Sequence, residues 1–336
     1  MKAIVLDKIG NYQNLFLGNV EIPKPNPGEA LVRIQAAALN HRDLWITQGL
    51  YANIKLPIVL GSDGCGIVES VGPDTDGSWI GKEVVINPSM HWGSDPRAQG
   101  KDFRILGMPD NGTLAEFVKV PLTSLFEKPV HLTPGEAAAI PLGGLTAYRA
   151  LFVQGKLKTN ETVLITGIGG GVASLALRMA RAINANIVVT SGHDAKIQHA
   201  IQSRAAGGVN YKKAEWTKEL LTLAQTLGGI DLVIDGAGGK EFVQLINVVK
   251  PGGRIVTYGA TAGNPETLDL RRMFWKQITI QGSTMGTAED FAAMLQFVET
   301  YHIKPTISNT FRIDHCRQAF EKMAKGEQLG KIVLKM

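Results

Sequence analysis

The most constraining stretch of this chain is Val163-Leu164-Ile165-Thr166-Gly167-Ile168-Gly169-Gly170-Gly171-Val172-Ala173, an apolar run that enters a glycine cluster and leaves it as an amphipathic segment. Val172, Leu175, Ala176, Met179, Ala180 and Ile183 recur at helical spacing, with Ser174, Arg178 and Arg181 opposite. A buried strand that turns into a helix through glycines presents bare backbone N–H groups at a helix start, where a diphosphate can approach without meeting a side chain. The spacing is Gly167-x-x-Gly170-x-x-Ala173 rather than the strict G-x-G-x-x-G, and Ala173 is small enough to let helix and strand pack closely. A dinucleotide is therefore expected on Gly167, Gly169, Gly170, Gly171, Val172 and Ala173. The duller alternative is a turn that only packs a helix on a sheet.

What surrounds this turn supports the first reading. Apolar runs at 163–165, 187–189, 232–234, 255–258 and 278–280 alternate with helix-length segments, which predicts βαβ units and a parallel sheet covered on both faces. Before about Pro121 the pattern is different: Pro, Gly and short strand-like runs such as Ala30–Gln35 and Glu83–Ile86 predict a compact β-rich domain. After Gly286, Thr287 followed by Asp290 predicts a capped helix with Phe291, Met294, Leu295 and Val298 on one face; a second helix begins near Asp314, and Ile332-Val333-Leu334 closes the chain as a strand. At 336 residues, two domains are the natural expectation.

Composition narrows the function classes. The net charge of +5 is spread out, with Lys212-Lys213 and Arg271-Arg272 as short pairs, which argues against nucleic acid. No apolar stretch reaches the roughly 20 residues of a membrane helix, and the apolar run within Met1–Asp7 is short for a signal peptide and reads better as a first strand. Two cysteines, Cys65 and Cys316, are too few for a disulfide framework or a Cys-rich zinc site. A cytoplasmic protein is expected.

The residue at the end of the second parallel strand selects the coenzyme, because a carboxylate there accepts from the ribose 2'-hydroxyl of NAD. In Val188-Val189-Thr190-Ser191-Gly192-His193-Asp194-Ala195-Lys196 the position is neutral Ser191, and Lys196 lies about one helical turn further on. A 2'-phosphate would meet hydrogen bonds and positive charge, which favours NADP(H). Against this, Ser191 and Lys196 can serve only to cap and solvate a helix, and Asp194 can turn inward. The loops Asp235-Gly236-Ala237-Gly238, Tyr258-Gly259-Ala260 and Gly282-Ser283-Thr284-Met285-Gly286 follow strands and are expected to line the coenzyme groove.

Several ordered motifs resemble the medium-chain dehydrogenase/reductases, specifically the quinone oxidoreductase-like branch, over essentially the whole length. They are Met1-Lys2-Ala3, Pro27-Gly28-Glu29-Ala30-Leu31-Val32, Asn40-His41-Arg42-Asp43-Leu44, the run Gly61 to Gly72, the run Ala138 to Tyr148, the glycine turn, and Gly330-Lys331-Ile332-Val333-Leu334. The resemblance implies an α/β protein in which a Rossmann-type doubly wound parallel sheet (126–288) is inserted into a GroES-like β-rich catalytic domain (1–125 and 289–336), with the active site in the cleft and a homodimeric state. It places Asn40 and Tyr51 near the nicotinamide, Asn40 orienting a carbonyl or water and Tyr51 donating a proton or hydrogen bond. It also places Thr146 beside the nicotinamide, Tyr211 near the adenosine 2'-phosphate, and Lys331 on the phosphates. Trp45, Leu142, Phe274 and Met285 are the expected substrate-shaping residues, with Trp45 standing where quinone-reducing relatives often have tyrosine. His41, Arg42 and Asp43 read better as a structural hydrogen-bond cluster.

Zinc-dependent relatives carry Cys, His and Cys where this chain has Asn40, Ser62 and Leu142, and the region from Pro88 to Gly107 contains no cysteine for their structural zinc. No metal is expected. Without a Lewis acid the expected substrates delocalise their own charge: hydride delivered from NADPH to a quinone or an α,β-unsaturated carbonyl leaves an anion that needs hydrogen bonds and a proton. The alternatives are an alcohol dehydrogenase that recruits metal through Asp63 and His91, and a noncatalytic NADPH sensor or RNA-binding protein.

Overall fold

The computed structural model describes all 336 residues, which divide into two compact units, Met1–Leu145 with Gly286–Met336, and Thr146–Met285. In the first unit the strands Lys2–Leu6 (β1), Leu15–Asn19 (β2) and Glu29–Ala38 (β3) precede a helix, His41–Thr47 (α1). Then come Ile58–Val59 (β4), Asp63–Val71 (β5), Glu83–Ile86 (β6), Ser89–Met90 (β7), Arg104–Ile105 (β8), Phe117–Pro121 (β9), Leu125–Glu127 (β10) and helix Pro134–Ala138 (α2), and helix Pro141–Tyr148 (α3) carries the chain into the second unit. The expected division after residue 125 is displaced to Leu145 because α2 packs on β3 and β5, which keeps the intervening segment with the first unit.

The second unit alternates strand and helix: Thr162–Ile165 (β11), Gly171–Ala182 (α4), Asn186–Ser191 (β12), Asp194–Gln202 (α5), Gly207–Asn210 (β13), Trp216–Gln225 (α6), Ile230–Asp235 (β14), Phe242–Val248 (α7), Val249–Thr257 (β15), Leu270–Trp275 (α8) and Thr279–Gly282 (β16). Its six strands are all parallel in the order β13-β12-β11-β14-β15-β16. That is the doubly wound order in which the first strand is central and the direction of winding reverses beside it. The sheet is covered on both faces, so its central strands are buried at every residue rather than at alternate ones, as in Thr162–Ile165 and Ile230–Asp235. Strand β13 breaks the apolar rule with Gly207 and Gly208 and is legible only once its neighbours are known.

The chain then returns to the first unit as Ala288–Thr300 (α9), Ile307–Arg312 (β17), Cys316–Ala324 (α10) and Lys331–Lys335 (β18). Helix α9 begins as expected: Thr287 Oγ1 accepts from Asp290 N at 3.0 Å and Thr287 N donates to Asp290 Oδ2 at 3.1 Å. Such reciprocal caps contribute about 1 kcal/mol. Strand β18 pairs antiparallel with β3, Val333 opposite Ala38 and Leu334 opposite Ala37, so both chain ends build one sheet. That sheet runs β10-β6-β5-β3-β18-β17, with β9 also on β3. Phe320, Met323 and Cys316 of α10 join Leu334, Ile332 and Leu39 in a single aliphatic core. No helix is long and apolar enough to cross a membrane.

Candidate active site and coenzyme site

The arrangement of strands in the first unit sets its polar centre. Because β3 runs antiparallel to both β5 and β18, its end lies beside their beginnings, with Ala38 opposite Asp63 on one side and Val333 on the other. Three residues at these strand ends therefore converge: Asn40 just past β3, Asp63 opening β5 and Lys331 opening β18. Lys331 follows Gly330, whose φ is +88° and whose position would set a Cβ 2.2 Å from the Thr306 carbonyl oxygen, so only glycine turns the chain into β18 here.

The three side chains form a closed triangle. Lys331 Nζ donates to Asn40 Oδ1 and to Asp63 Oδ2, both at 2.7 Å, and Asn40 Nδ2 donates to Asp63 Oδ2 at 2.9 Å. The other Asp63 oxygen accepts from the Leu142 backbone N at 2.7 Å. Asp63 is fully buried and Lys331 is 3% exposed, so the pair is screened very little by water. Lys331, expected on the coenzyme phosphates, is instead spent on this triangle: strand pairing with β3 draws its side chain inward. Leu142 enters through its main chain rather than only as an apolar wall.

A second cation sits next to it. Arg42 Nη1 donates to Ser62 Oγ at 2.7 Å and to the Leu106 carbonyl at 2.9 Å, its guanidinium carbon lies 5.1 Å from the centre of the Tyr51 ring, and Ser62 Oγ donates to the same Leu106 carbonyl. Tyr51 thus packs its ring on a cation. Asp43, in the first turn of α1, accepts from Asn40 N at 2.8 Å through Oδ2, while its Oδ1 is buried without a partner. Burial pushes this carboxyl up to about 6, against the pull of Arg42 and the Asn40 N–H. Arg42 and Asp43 are thus tied to Ser62, Leu106 and the Asn40 N–H by internal hydrogen bonds, although not to each other. Burial also holds the His41 imidazole below its ordinary value, and its ring lies 6.0 Å from that of Trp45, which is half-buried.

These donors do not fit zinc. The Asn40 oxygen is taken by Lys331, both Asp63 oxygens are taken by Lys331, Asn40 Nδ2 and Leu142 N, Ser62 is held by a guanidinium, and no three His, Cys, Asp or Glu side chains cluster anywhere in the chain. Of the pair Asp63 and His91, Asp63 has both carboxylate oxygens occupied in this way. Both cysteines are buried, which pushes their thiols up to about 12. The lobe from Pro88 to Gly107 closes around an aromatic pair, Trp92 edge-on to Phe103 at 5.4 Å, with Trp92 Nε1 donating to the Asp95 carbonyl at 2.9 Å.

In the second unit the glycine turn behaves as its sequence predicts. Gly167 has a φ of +60°, and a Cβ placed on it meets nothing within 4 Å, so the space over the end of β11 is open. Gly170 caps α4, whose first internal bond runs from Ser174 N to Gly170 O. The N–H groups of Gly171, Val172 and Ala173 precede that bond and point out of the helix start. A Cβ on Gly169 would lie 2.7 Å from Lys196 Cδ and 2.8 Å from Nζ, which puts the lysine directly over the turn; partial burial depresses its basicity.

Beyond the turn lies a groove of about 1000 Å³ bordered by Gly167, Thr190, Tyr211, Asp235 and Gly238, with Lys212, Lys213 and Lys240 on its rim. Tyr211 Oη and Lys212 Cε stand within 3 Å of where a Cβ on Gly192 would be. Ser191 Oγ accepts from the N–H of His193, the residue that caps α5, at 3.2 Å and bonds no N–H within the helix, and Asp194 is exposed and accepts from Asn210 Nδ2 at 2.9 Å instead of turning inward. Asp235 is braced by Thr166 Oγ1 at 2.5 Å and by the N–H groups of Gly238 and Ala237, and burial raises its carboxyl. Residue-by-residue reading missed Thr166, Lys213 and Lys240; only the Lys212-Lys213 pair carried a visible signal.

Other expected residues fare differently. Tyr258 packs its ring against Gly236, 2.5 Å from where a Cβ there would be, and burial with the Asp235 charge raises its phenol well above the ordinary value. Gly236 and Gly259 face each other across these two loops. Ser283 anchors its N–H on the Thr257 carbonyl at 2.8 Å and keeps a buried hydroxyl without a partner. Thr146 and Met285 are buried, at the two ends of the second unit. Phe274, expected in the substrate wall, is 66% exposed on the short helix α8.

Two family models match the two parts: an alcohol dehydrogenase GroES-like domain over residues 26–130 and a zinc-binding dehydrogenase over 171–300. The chain is 36% identical to the zinc-type alcohol dehydrogenase-like protein YogA of Leptosphaeria maculans, covering 97% of this chain and 95% of that one. It is 30% identical to an acryloyl-coenzyme A reductase of Sulfurisphaera tokodaii over all of both chains. A crystal structure of an NAD-dependent alcohol dehydrogenase superposes with a TM-score of 0.94 at 34% identity, again over all of both chains. The chain belongs to the medium-chain dehydrogenase/reductase superfamily, with a GroES-like unit and an inserted Rossmann-type unit. It is a nicotinamide-coenzyme-dependent oxidoreductase.

Proposed function

We propose that this chain reduces α,β-unsaturated carbonyls or quinones by hydride transfer from NADPH, without a metal. The observation that carries this reading is the Asn40–Asp63–Lys331 triangle, a hydrogen-bonded ion pair where zinc-dependent relatives would need free ligands. Hydride from the dihydronicotinamide adds to the β-carbon of the conjugated acceptor, the electron pair moves onto the carbonyl oxygen, and a proton completes the saturated carbonyl and NADP+. An enolate or hydroquinone anion is stabilised by hydrogen-bond donors, whereas a simple alkoxide depends far more on a Lewis acid. One relative bears the name of an acryloyl-coenzyme A reductase, an activated alkene of this class.

The preference for NADPH rests on Lys196 over the glycine turn, on Tyr211 and Lys212 at Gly192, and on the absence of an inward carboxylate at the end of β12. A homodimer in the cytoplasm belongs to the same reading, and sedimentation checks the assembly. The experiment is coenzyme oxidation, NADPH beside NADH, against a panel of quinones, enals and enones. Turnover with NADPH on at least one class is expected; a clear preference for NADH removes the coenzyme assignment, and no turnover on the whole panel, with NADPH bound, removes the reaction.

A further inference from the structure

The first unit leaves one strand edge open. Strands β3 and β9 are antiparallel, and their bonded pairs are marked at both ends: Ile34 N donates to the Glu116 carbonyl at 2.8 Å, and Leu122 N to the Gly28 carbonyl at 2.9 Å. Opposed residues alternate between bonded and unbonded pairs, so Val118 and Val120 turn their main chain to β3, whereas Phe117 and Lys119 turn theirs away. Met1, on the same side, exchanges both its main-chain bonds with Val20, at 2.8 and 2.9 Å. The outward N–H and C=O groups of Phe117 and Lys119 therefore have no protein partner, although both residues are half-buried. They border a groove of about 640 Å³ formed by the first unit alone, with Ile58, Met90, Leu106 and Val118 as its buried apolar lining. Open edges are commonly blunted by a free lysine or by proline within the ladder. Here Lys119 is tied to Glu29 at 3.0 Å, and Pro121 falls at the last position of β9, so neither blocks the two outward residues.

We propose that this groove binds an extended peptide of a partner protein, which adds as a strand to the outer edge of β9. Phe117 and Lys119 offer two donors and two acceptors spaced two residues apart, a pattern that an added strand satisfies through its own main chain. Alternate side chains of that strand face the groove, and apolar ones meet Met90 and Leu106 there. Most of the charge on the rim is spent within the protein, on Lys119–Glu29 and on Arg104–Asp110 at 3.2 Å, so main-chain bonds and apolar contact carry the recognition. This binding is independent of the reduction proposed above.

The probe is the synthetic peptide acetyl-Ser-Val-Thr-Val-Ser-amide, added to the full-length protein while amide hydrogen exchange is followed along β9. At about ten times its dissociation constant, the peptide is expected to slow exchange at Phe117 and Lys119 by about 10-fold. The same peptide N-methylated at its three central residues cannot donate and is expected to have no effect. Raising the salt from about 0.05 to about 0.5 M is expected to change the dissociation constant by less than about twofold, because the bonds formed are between neutral groups. Lys119→Pro removes one outward N–H without removing a bond to β3 and is expected to weaken binding about 10-fold. No slowing at about 10 mM peptide, equal slowing by the methylated peptide, or slowing that the added salt abolishes overturns the proposal. So does protection of these two amides that rises with protein concentration in the absence of peptide, which would assign the edge to a second copy of the chain. Should Lys119→Pro fail to fold, the comparison of the two peptides on the wild type carries the test.

Discussion

Asp43 supplies the sharpest test of the electrostatics around the triangle. Its side chain is fully buried at the start of α1, with Oδ1 unpartnered and Oδ2 accepting from the Asn40 N–H. Burial raises its pKa from 3.8 to about 6, so the folded protein holds a proton that the unfolded chain has already released between those values. Stability from this group is therefore present in full below about pH 4 and is lost as the pH climbs through about 6. At 1.36 kcal/mol per pH unit the gap amounts to about 3 kcal/mol. Asp43→Asn cannot ionise, keeps an oxygen for the Asn40 N–H and removes the titration. Urea unfolding of both proteins at intervals between pH 4.5 and 8 should show the variant gaining on the wild type as pH rises, by most of that amount. A difference that stays flat across the range would show that Asp43 is ionised throughout and that the ion pairs beside it outweigh its burial.

The other expectations concern neighbouring parts of the two units. Lys331→Met leaves the Asp63 carboxylate buried with only two neutral donors and should cost about 3–5 kcal/mol in urea unfolding, with Asp63→Asn/Lys331→Met regaining much of it. Gly330→Ala drives a methyl group to about 2.2 Å from the Thr306 carbonyl at a positive φ, so a lowered melting temperature is expected; an unchanged one would refute the steric argument. Lys196→Ala should raise KM for NADPH by about 10- to 100-fold, the worth of a charge-assisted hydrogen bond, and leave KM for NADH nearly unchanged. Metal analysis of the purified enzyme should find well below one zinc per chain, and a stoichiometric zinc retained through dialysis would reverse the reading of the triangle.

The sequence by itself determined the parts whose physics is local. A strand entering a glycine turn and leaving as a helix is legible because β11, Gly167 and α4 are contiguous, and the Thr287–Asp290 cap is a contact between residues three apart. The absence of Cys and His at positions 40, 62 and 142 is likewise readable without coordinates. What replaces them is not, since Asn40, Asp63 and Lys331 lie far apart in the chain and meet only because β3 is flanked antiparallel by β5 on one side and β18 on the other. Tertiary structure alone decided that Lys331 is buried on Asp63 instead of reaching toward phosphate, that Phe274 faces solvent, and that Lys213 and Lys240 share a groove with Tyr211. Long-range strand pairing sets the neighbours of a charge, and for a buried charge the neighbours set its role.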